Sequence, residues 1–353
     1  MNFAIPIQPR DTLLDAINQL SLSPQIPESS SEGYKLDHSL TGTAIHGSGL
    51  WRVLAVDPNR VLSASYDKTA KLFNSVERQV ENSFTHNAQV LSLACTDEKI
   101  FTASSDGVLK IWNRHNNAFL YEIKEAKNRS TGFYSIAIMG EEQIATGACQ
   151  RPKNKSSNRW PHTIKIWKDR LVEFELKGHQ GGISSLIACN DRLISSSADK
   201  TIKIWNTAES LLVNSIEAHD DYIYTMAALQ PNQTVSGGRD KTLRIYDLET
   251  STEVRKIVDP AVDRRKAGDD ACAHGSTVYD VCVLQPSVIA SASRDRTMKI
   301  WDMRATVSLI NTVVTENLLY SVCPIGHFGI AAGSATQHAK RVSGELMIWD
   351  SRI

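Results

Sequence analysis

Short stretches of alternating apolar and polar residues recur along this sequence from residue 34 onwards. The clearest covers residues 289–304, IASASRDRTMKIWDMR. Its pattern predicts a strand, a tight turn centred on Asp295, and a second strand that ends near Trp301. Because close copies of this hairpin follow one another, the sequence predicts a chain built from a repeated β unit.

Three kinds of residue mark the repeats. An aromatic residue ends a predicted strand about every 40 residues, at Phe73, Trp112, Trp167, Trp205, Tyr246, Trp301 and Trp349. Five of these follow, by six residues, an Asp in a turn sequence, namely Asp67, Asp106, Asp199, Asp240 and Asp295. Each Asp follows, by about 20 residues, a His, namely His46, His86, His179, His219 and His274. The repeats that end at Trp167 and Trp349 lack both residues.

This order of His, Asp and Trp-Asp resembles the WD-repeat family, and the resemblance extends over about residues 34–353. It implies an all-β fold, a seven-bladed β-propeller whose four-stranded sheets stack around a central axis. In that family the His, the Asp, a strand Ser or Thr and the indole of each blade are joined by hydrogen bonds. The resemblance therefore implies that these ten His and Asp residues form a structural network rather than catalytic triads, and that the protein is not an enzyme.

Closure of the ring leads to a second expectation, which concerns the outer strand of the last blade. If each repeat runs from outer strand to innermost strand and then through two middle strands, the blade ending at Trp349 needs an outer strand from elsewhere. Residues 34–41, YKLDHSLT, have the length and position of residues 171–177, which precede His179 in the same way. We therefore expect the N-terminal strand to close the last blade and so remove two exposed sheet edges.

Residues 1–33 lie outside the repeats and are predicted to form an N-terminal extension to the propeller of residues 34–353. Residues 11–20 place apolar side chains on one face of a predicted short helix, with Asp11 as its cap. Residues 21–33 have the composition of a flexible linker. Since so short a helix is marginal alone, we expect it to dock on the propeller or on a partner.

Composition narrows the class of protein further. Lys and Arg total 39, as do Asp and Glu, so the overall charge favours neither nucleic acid nor a membrane as partner. The sequence has no secretory leader pattern and no apolar run of about 18 residues. It also has no Cys-x-x-Cys pair. We expect a protein of the cytoplasm or nucleus that is not secreted and that needs neither a metal nor a cofactor.

The innermost strands carry the first candidate binding residues. Five residues after each loop His, or its equivalent, stand Trp51, Leu91, Tyr134, Ser184, Tyr224, Tyr279 and Tyr320. Apolar residues flank this position on both sides, so strict alternation is broken and a β-bulge is predicted. The bulge would turn the aromatic members, Trp51, Tyr134, Tyr224, Tyr279 and Tyr320, towards the mouth of the central channel. The alternative is that these rings pack beneath the loops.

Basic residues collect in the loops on one side of the predicted disc. We call this side the top face; it is formed by turns between the two middle strands and by loops from an outer strand to the next innermost strand. Ordinary turns place Arg239 and Arg294 there, and an insertion in the third repeat adds Arg151, Arg159 and Trp160. The alternatives are that the basic residues are solvated turn positions and that Trp160 folds back onto its blade.

These patterns predict a non-catalytic scaffold or adaptor that binds other proteins or peptides. Its basic, aromatic top face would receive an acidic or phosphorylated segment.

Two alternatives stay open at this point. Residues 289–304 match the box that WD-repeat substrate receptors of cullin-RING ubiquitin ligases share, which would make Trp301, Asp302 and Arg304 contacts for a cullin-ligase adaptor. An RNA-associated propeller would instead use Trp160 and the basic loops for stacking and phosphate contacts.

Overall fold

A computed structural model describes residues 35–40, 45–125, 131–140, 143–150, 162–189, 192–230, 232–262, 272–305, 308–326, 329–338 and 341–350. In this part of the chain the secondary structure is β throughout, with 28 strands in seven four-stranded antiparallel sheets. The all-β, seven-bladed prediction is therefore confirmed. The predicted helix over residues 11–20 and the linker over residues 21–33 lie outside the described residues, so the division of the chain at residue 34 stays a prediction.

Each sheet is one blade, and its strands follow the chain from the channel outwards. Blade 1 comprises β2 (Leu50–Asp57), β3 (Arg60–Ser65), β4 (Thr69–Asn74) and β5 (Gln79–Thr85). Blade 2 comprises β6 (Val90–Cys95), β7 (Lys99–Ser104), β8 (Val108–Asn113) and β9 (Phe119–Lys124). Blade 3 comprises β10 (Thr131–Ile138), β11 (Gln143–Gln150), β12 (His162–Lys168) and β13 (Leu171–His179).

The remaining blades repeat the order, and the last one borrows a strand. Blade 4 comprises β14 (Ile183–Cys189), β15 (Arg192–Ser197), β16 (Thr201–Asn206) and β17 (Leu211–Glu217). Blade 5 comprises β18 (Ile223–Gln230), β19 (Gln233–Gly238), β20 (Leu243–Asp247) and β21 (Thr252–Ile257). Blade 6 comprises β22 (Val278–Gln285), β23 (Val288–Ser293), β24 (Thr297–Asp302) and β25 (Leu309–Val314). Blade 7 comprises β26 (Leu318–Ile325), β27 (Gly329–His338), β28 (Arg341–Asp350) and β1 (Lys35–Leu40).

The apolar core lies between neighbouring blades. Val278 and Val281 of blade 6, for example, pack on Val235 and Ile245 of blade 5. The second strand of a blade is covered on both faces, so all six residues of β23 are buried. An outer strand is covered much less, and residues 211–215 of β17 are exposed. Burial of a large apolar side chain contributes about 1.5–3 kcal/mol, so much of the stability depends on blades meeting their neighbours.

The ring closes as the sequence predicts. Strand β1 pairs antiparallel with β28, from Lys35 opposite Asp350 to Leu40 opposite Leu346. On the other side of the same blade, Ile348 packs with Val53 and Val61 of blade 1. The last blade thus obtains its outer strand from the N-terminal end of the propeller sequence.

Polar networks hold the interior of the blades. In blade 6 the His274 imidazole bonds Asp295 through Nδ1 at 2.9 Å and Ser291 through Nε2 at 2.7 Å. The Trp301 indole donates to the same Ser291 hydroxyl at 2.9 Å. Blade 4 repeats this arrangement through His179, Asp199, Ser195 and Trp205. The networks of blades 1 and 5 have the His, the Asp and the Ser but no indole, because their strand-end residues are Phe73 and Tyr246.

Blade 2 departs from the expected bonding. His86 bonds Thr102 at 2.7 Å and Ser104 at 3.2 Å, and it is the Ser104 hydroxyl that donates to Asp106 at 2.6 Å. The expected direct bond between His86 and Asp106 is therefore replaced by a serine bridge. The physical consequence is that Asp106 favours the charged form of His86 only through space, without a direct hydrogen bond.

Blade 3 replaces the histidine network with a charged pair. The backbone N–H of Glu125 donates to Gly107, as the N–H of His86 does to Lys68, so Glu125 occupies the histidine position. Its carboxylate accepts from Lys165 Nζ, and both side chains are nearly buried. The Trp167 indole still donates to a strand hydroxyl, that of Thr146, at 2.8 Å.

Burial and hydrogen bonding shift the pKa values of these groups in opposite directions. Burial, with a smaller effect of Lys110, lowers the pKa of His86 to about 4. Burial also lowers the pKa of His46 and of His274, although their Asp partners oppose the shift. Burial would raise the pKa of Asp240, but hydrogen bonds from His219 and Thr242 outweigh it and lower that pKa to about 2.

We predict that deletion of residues 34–41 opens the ring. Without β1, strand β28 becomes an unpaired edge and blade 7 keeps only three strands, so the protein should associate or precipitate. Size-exclusion chromatography measures the outcome. Deletion of residues 2–33 is the matched control, because it keeps β1 and should leave the elution volume that of a monomer. A soluble monomer after loss of residues 34–41 would contradict the closure.

We predict that acid destabilises the fold well before its carboxylates are protonated. The His86 pKa is lower in the folded state than its unfolded value of about 6.5, so the unfolded chain binds more protons in between. The stability from neutral His86 is complete above about pH 6.5 and is lost as pH falls towards about 4, with about 2 kcal/mol lost by pH 5. Thermal unfolding between pH 7 and pH 5 measures this loss.

Two substitutions separate His86 from the other histidines. His86→Gln should lower stability at pH 7 but make it depend less on pH between about 5 and 7. His115→Gln, at an imidazole that is 66% exposed, is the control for the effect of exchanging a histidine for glutamine. Equal pH dependence in the wild type and in His86→Gln would show that His86 does not titrate as its burial requires.

Candidate functional site

The buried networks offer no catalytic site. The side chains of His46, His179, His219 and His274 are 0% exposed, and their Ser partners are equally buried. A nucleophile must reach its substrate, so these groups serve the interior of the blades. In the described part of the chain no group of three or more His, Cys, Asp or Glu residues is arranged to hold a metal ion. No helix of the described residues is long and apolar enough to cross a membrane.

The predicted bulge is present in all seven innermost strands. In β22 the pairing register shifts between Val278 and Asp280, so Tyr279 is the extra residue. The same shift occurs at Trp51, Leu91, Tyr134, Ser184, Tyr224 and Tyr320. A bulge leaves its residue unpaired and re-aims the side chain. The broken alternation of the sequence therefore located this position correctly in every blade.

Four of the five aromatic residues come together as a continuous row, which we call the aromatic arc: Trp51, Tyr320, Tyr279 and Tyr224. The ring of Tyr320 lies 5.5 Å from Trp51 and stacks on Tyr279 at 4.7 Å, between centroids. Tyr224 meets Tyr279 edge-on at 5.4 Å. The four residues belong to blades 1, 7, 6 and 5, which are consecutive around the ring. All four side chains are half-buried, so one side of the arc stays open to solvent.

The fifth aromatic residue, Tyr134, lies on blade 3, and one blade separates it from either end of the arc. The bulge positions on the two blades beside it carry Leu91, which is buried, and Ser184. The channel mouth is thus aromatic on one half only. The sequence predicted the five rings but not their division into four and one.

A residue that the sequence reasoning missed extends the arc. Tyr66, in the turn between β3 and β4, places its ring 5.5 Å from that of Trp51. Its signal in the sequence is weak, because the residue before the turn Asp differs from repeat to repeat. Only the tertiary structure shows that this turn leans towards the mouth.

The two predicted turn arginines, Arg239 and Arg294, differ in the charged groups that surround their side chains. Arg239 lies 3.6 Å from the Asp221 carboxylate and 5.7 Å from the centre of the Tyr222 ring. Arg294 is exposed and has no side-chain hydrogen bond or ion pair with any residue that the structure describes. Burial raises the pKa of Tyr279 and of Tyr320; the charge of Arg294 opposes both shifts and that of Arg239 opposes the shift of Tyr279, so both arginines lie near the arc.

Other top-face turns also carry basic residues, in a strained conformation. Lys68, Lys200, Lys241 and Arg296 follow the turn Asp with φ between 68° and 73°. Glycine adopts this left-handed region freely, and Gly107 occupies it at the same place in blade 2. A residue with a side chain costs roughly 1 kcal/mol there, so the basic side chains persist at four turns where glycine would be less strained.

The remaining predicted contacts fall into two groups. Arg151, Arg159 and Trp160 lie outside the described residues, so their role stays a prediction. Of the predicted adaptor contacts, Trp301 is 0% exposed, whereas Arg304 is 68% exposed on the opposite, bottom face. The Arg304 guanidinium donates two hydrogen bonds to the Asp302 carboxylate, at 3.0 and 2.8 Å. Only Asp302 and Arg304 reach the surface, and adaptor docking likewise stays a prediction.

Comparison with known proteins agrees with this architecture. The family profile described as "WD domain, G-beta repeat" matches residues 78–113, 171–206, 210–247 and 271–302. The crystal structure of the WD40 beta propeller domain of Doa1 superposes with a TM-score of 0.70 at 19% sequence identity. The match covers 90% of this chain and 97% of that one. This likeness shows the fold.

Curated relatives are similar at low identity. Ribosome biogenesis protein YTM1 of Coccidioides immitis (strain RS) is 24% identical over 274 residues, which is 73% of this chain and 50% of that protein. WD repeat-containing protein 37 of Mus musculus is 25% identical over 285 residues, or 78% of this chain and 52% of that protein. The chain thus spans about half the length of these relatives. The chain thus carries WD repeats in four places, folds as a seven-bladed β-propeller and has WD-repeat relatives.

Proposed function

We propose that the protein is a non-catalytic scaffold that binds an acidic or phosphorylated segment of another protein on its top face. The observation that supports this most is the aromatic arc together with Arg294, which has no charged partner among the described residues. The segment would lie across the arc and place a carboxylate or phosphate on Arg294. Similarity to other WD-repeat proteins supports the scaffold reading in its general form.

The arc suits a peptide because its rings are already ordered. Trp51, Tyr320 and Tyr279 hold one another by ring contacts, so little side-chain freedom is lost on binding. Large planar side chains at the centre of an interface contribute most of its affinity. An arginine beside them adds a fork of N–H donors that matches a carboxylate or a phosphate.

Charge makes the two ends of the arc unequal. At the blade 5 end, Asp220 and Asp221 lie in the loop before β18, and Asp221 already pairs with Arg239. An acidic segment would meet like charge there, whereas at blades 6 and 7 it would meet Arg294, which pairs with no carboxylate in the part of the chain that the structure describes. The anionic group of the ligand is therefore assigned to Arg294, and Arg239 has a minor part.

An RNA-associated propeller is the second candidate. It is favoured by the similarity to a protein named for ribosome biogenesis, over about half of that protein's length. Binding to poly(U) that persists at physiological salt, about 0.15 M, would favour it. Binding that vanishes above low salt would favour the protein scaffold.

We predict that Arg294→Glu weakens binding of an acidic peptide much more than Arg239→Glu does. A fluorescein-labelled hexaglutamate peptide and a phosphoserine peptide of the same length serve as probes, with fluorescence anisotropy as the measurement. Arg294→Glu should raise Kd by about tenfold or more, because it replaces attraction by repulsion. Arg239→Glu should raise it by only about threefold, because that charge is already paired with Asp221.

The matched control for both variants is Arg192→Glu. Arg192 is exposed at the start of β15, on the bottom face, so its charge reversal alters net charge equally without touching the arc. Thermal unfolding midpoints confirm that all three variants fold. Equal loss of affinity in the three variants would show that only net charge matters and would reject a site at Arg294.

A further inference from the structure

The residue that follows each bulge is polar in all seven blades. These residues are Arg52, Ser92, Ser135, Ser185, Thr225, Asp280 and Ser321. The five hydroxyl residues and Asp280 are all buried. A buried polar side chain is costly unless it is hydrogen-bonded, so this position calls for an explanation in each blade. On blades 5, 6, 7 and 1 the four residues join in one network.

Two hydroxyls of the network tie a blade to its neighbour. The Thr225 hydroxyl of blade 5 accepts from the backbone N–H of Val281 in blade 6, at 3.2 Å. The Ser321 hydroxyl of blade 7 accepts from the backbone N–H of Val53 in blade 1, at 3.1 Å. Both bonds join innermost strands, directly below the bulges.

Asp280 is the centre of the network. Its Oδ1 accepts from the Thr225 hydroxyl at 2.9 Å and from Arg52 at 2.7 Å. Its Oδ2 accepts from the Ser321 hydroxyl at 2.5 Å and from the backbone N–H of Val322 at 3.1 Å. The backbone N–H of Val281 adds a bond at 3.1 Å. One carboxylate therefore connects four consecutive blades.

The Asp280 carboxylate is paired with an arginine from a blade that is not its direct neighbour in the ring. Arg52 belongs to blade 1, and the innermost strand of blade 7 lies between it and Asp280 of blade 6. The two side chains are 23% and 6% exposed. The Arg52 side chain thus spans the innermost strand of blade 7, the blade whose outer strand is β1. Loss of either partner would leave a largely buried charge without its counter-charge.

The residues of the network and those of the aromatic arc are direct neighbours in the sequence. Thr225, Asp280, Ser321 and Arg52 each follow an arc residue directly, so the backbone that bears the rings also bears the network. In each of these strands the arc residue is the bulge residue, so its backbone falls outside the regular pairing with the neighbouring strand. Hydrogen bonds at the next residue therefore link these bulges from blade to blade.

We propose that Asp280 is the positioning residue of the top-face binding site: its bonds to Thr225, Ser321 and Arg52 set the relative placement of the four rings of the aromatic arc. This inference rests on the proposed function for its consequence in binding, but its effect on the arc can be measured without a ligand. Blades 2, 3 and 4 carry serine at the same position and bear no part of the arc, which provides a control within the same molecule.

The test uses the full chain with three single substitutions. Asp280→Asn removes the charge with little change in shape, and Ser321→Ala removes one donor to Asp280 and the acceptor for Val53. Ser185→Ala is the control, since it removes a buried hydroxyl from the same position in blade 4. Should Asp280→Asn fail to fold, Ser321→Ala decides the matter.

Two measurements are made on each variant. Acrylamide quenching of tryptophan fluorescence, compared with the same variant carrying Trp51→Phe, isolates the exposure of Trp51. Anisotropy with the hexaglutamate and phosphoserine peptides gives Kd. We expect Asp280→Asn and Ser321→Ala to increase quenching of Trp51 and to raise Kd by about tenfold. Ser185→Ala should change neither, although it also perturbs a buried hydrogen-bonding group.

The outcomes separate this inference from the proposed function. If folded Asp280→Asn or Ser321→Ala shows the quenching and the Kd of the wild type, the positioning role is overturned. A wild-type protein that binds neither peptide would reject the proposed function, and Trp51 quenching alone would then decide the role of Asp280. An equal effect of Ser185→Ala would also overturn the inference, because it would show a general loss of packing.

Discussion

Each four-stranded sheet of this protein has two apolar faces, and only a closed ring of sheets covers both. The packing of Val278 and Val281 on the preceding blade illustrates the general arrangement, in which every blade completes the core of its neighbour. An open end would expose one whole face. The pairing of β1 with β28 within blade 7 therefore supports the contacts between blades, since it completes the blade at which the two ends of the ring meet.

The interior polar groups follow from the same geometry. Strands buried on both faces leave no solvent for a polar side chain, so the His, Asp and Ser groups bond one another. Blade 3 satisfies the same space with Glu125 and Lys165, and blade 2 inserts Ser104 between His86 and Asp106. Different residues thus satisfy the buried polar groups of each blade, and these networks leave no reactive group exposed to a substrate. The His, Asp and Ser residues that resemble catalytic triads in the sequence therefore serve the packing of the blades.

The innermost strands differ from the rest of each blade at the point where regular pairing stops. The bulges release one residue per innermost strand, and blades 5, 6, 7 and 1 use it for aromatic rings, with Asp280 beneath them. Among the described residues Arg294 has no charged partner, whereas Arg239 pairs with Asp221, so the charge of this half of the mouth is uneven. Under the proposed function, blades of nearly equal structure thereby present an unequal binding surface, which recognition of one partner segment requires.

Local periodicity and the count of units were enough to predict the repeat, the number of blades, the closing strand and the bulges. The same spacing located the five aromatic bulge residues and the turn positions of Arg239 and Arg294. It could not show that Trp51, Tyr320, Tyr279 and Tyr224 form one row while Tyr134 stands apart, because that depends on which blades are neighbours around the ring. The partners of Asp280 escaped it for the same reason. Arg52 and Asp280 are 228 residues apart in the chain, and only closure of the ring brings them within a hydrogen bond of each other.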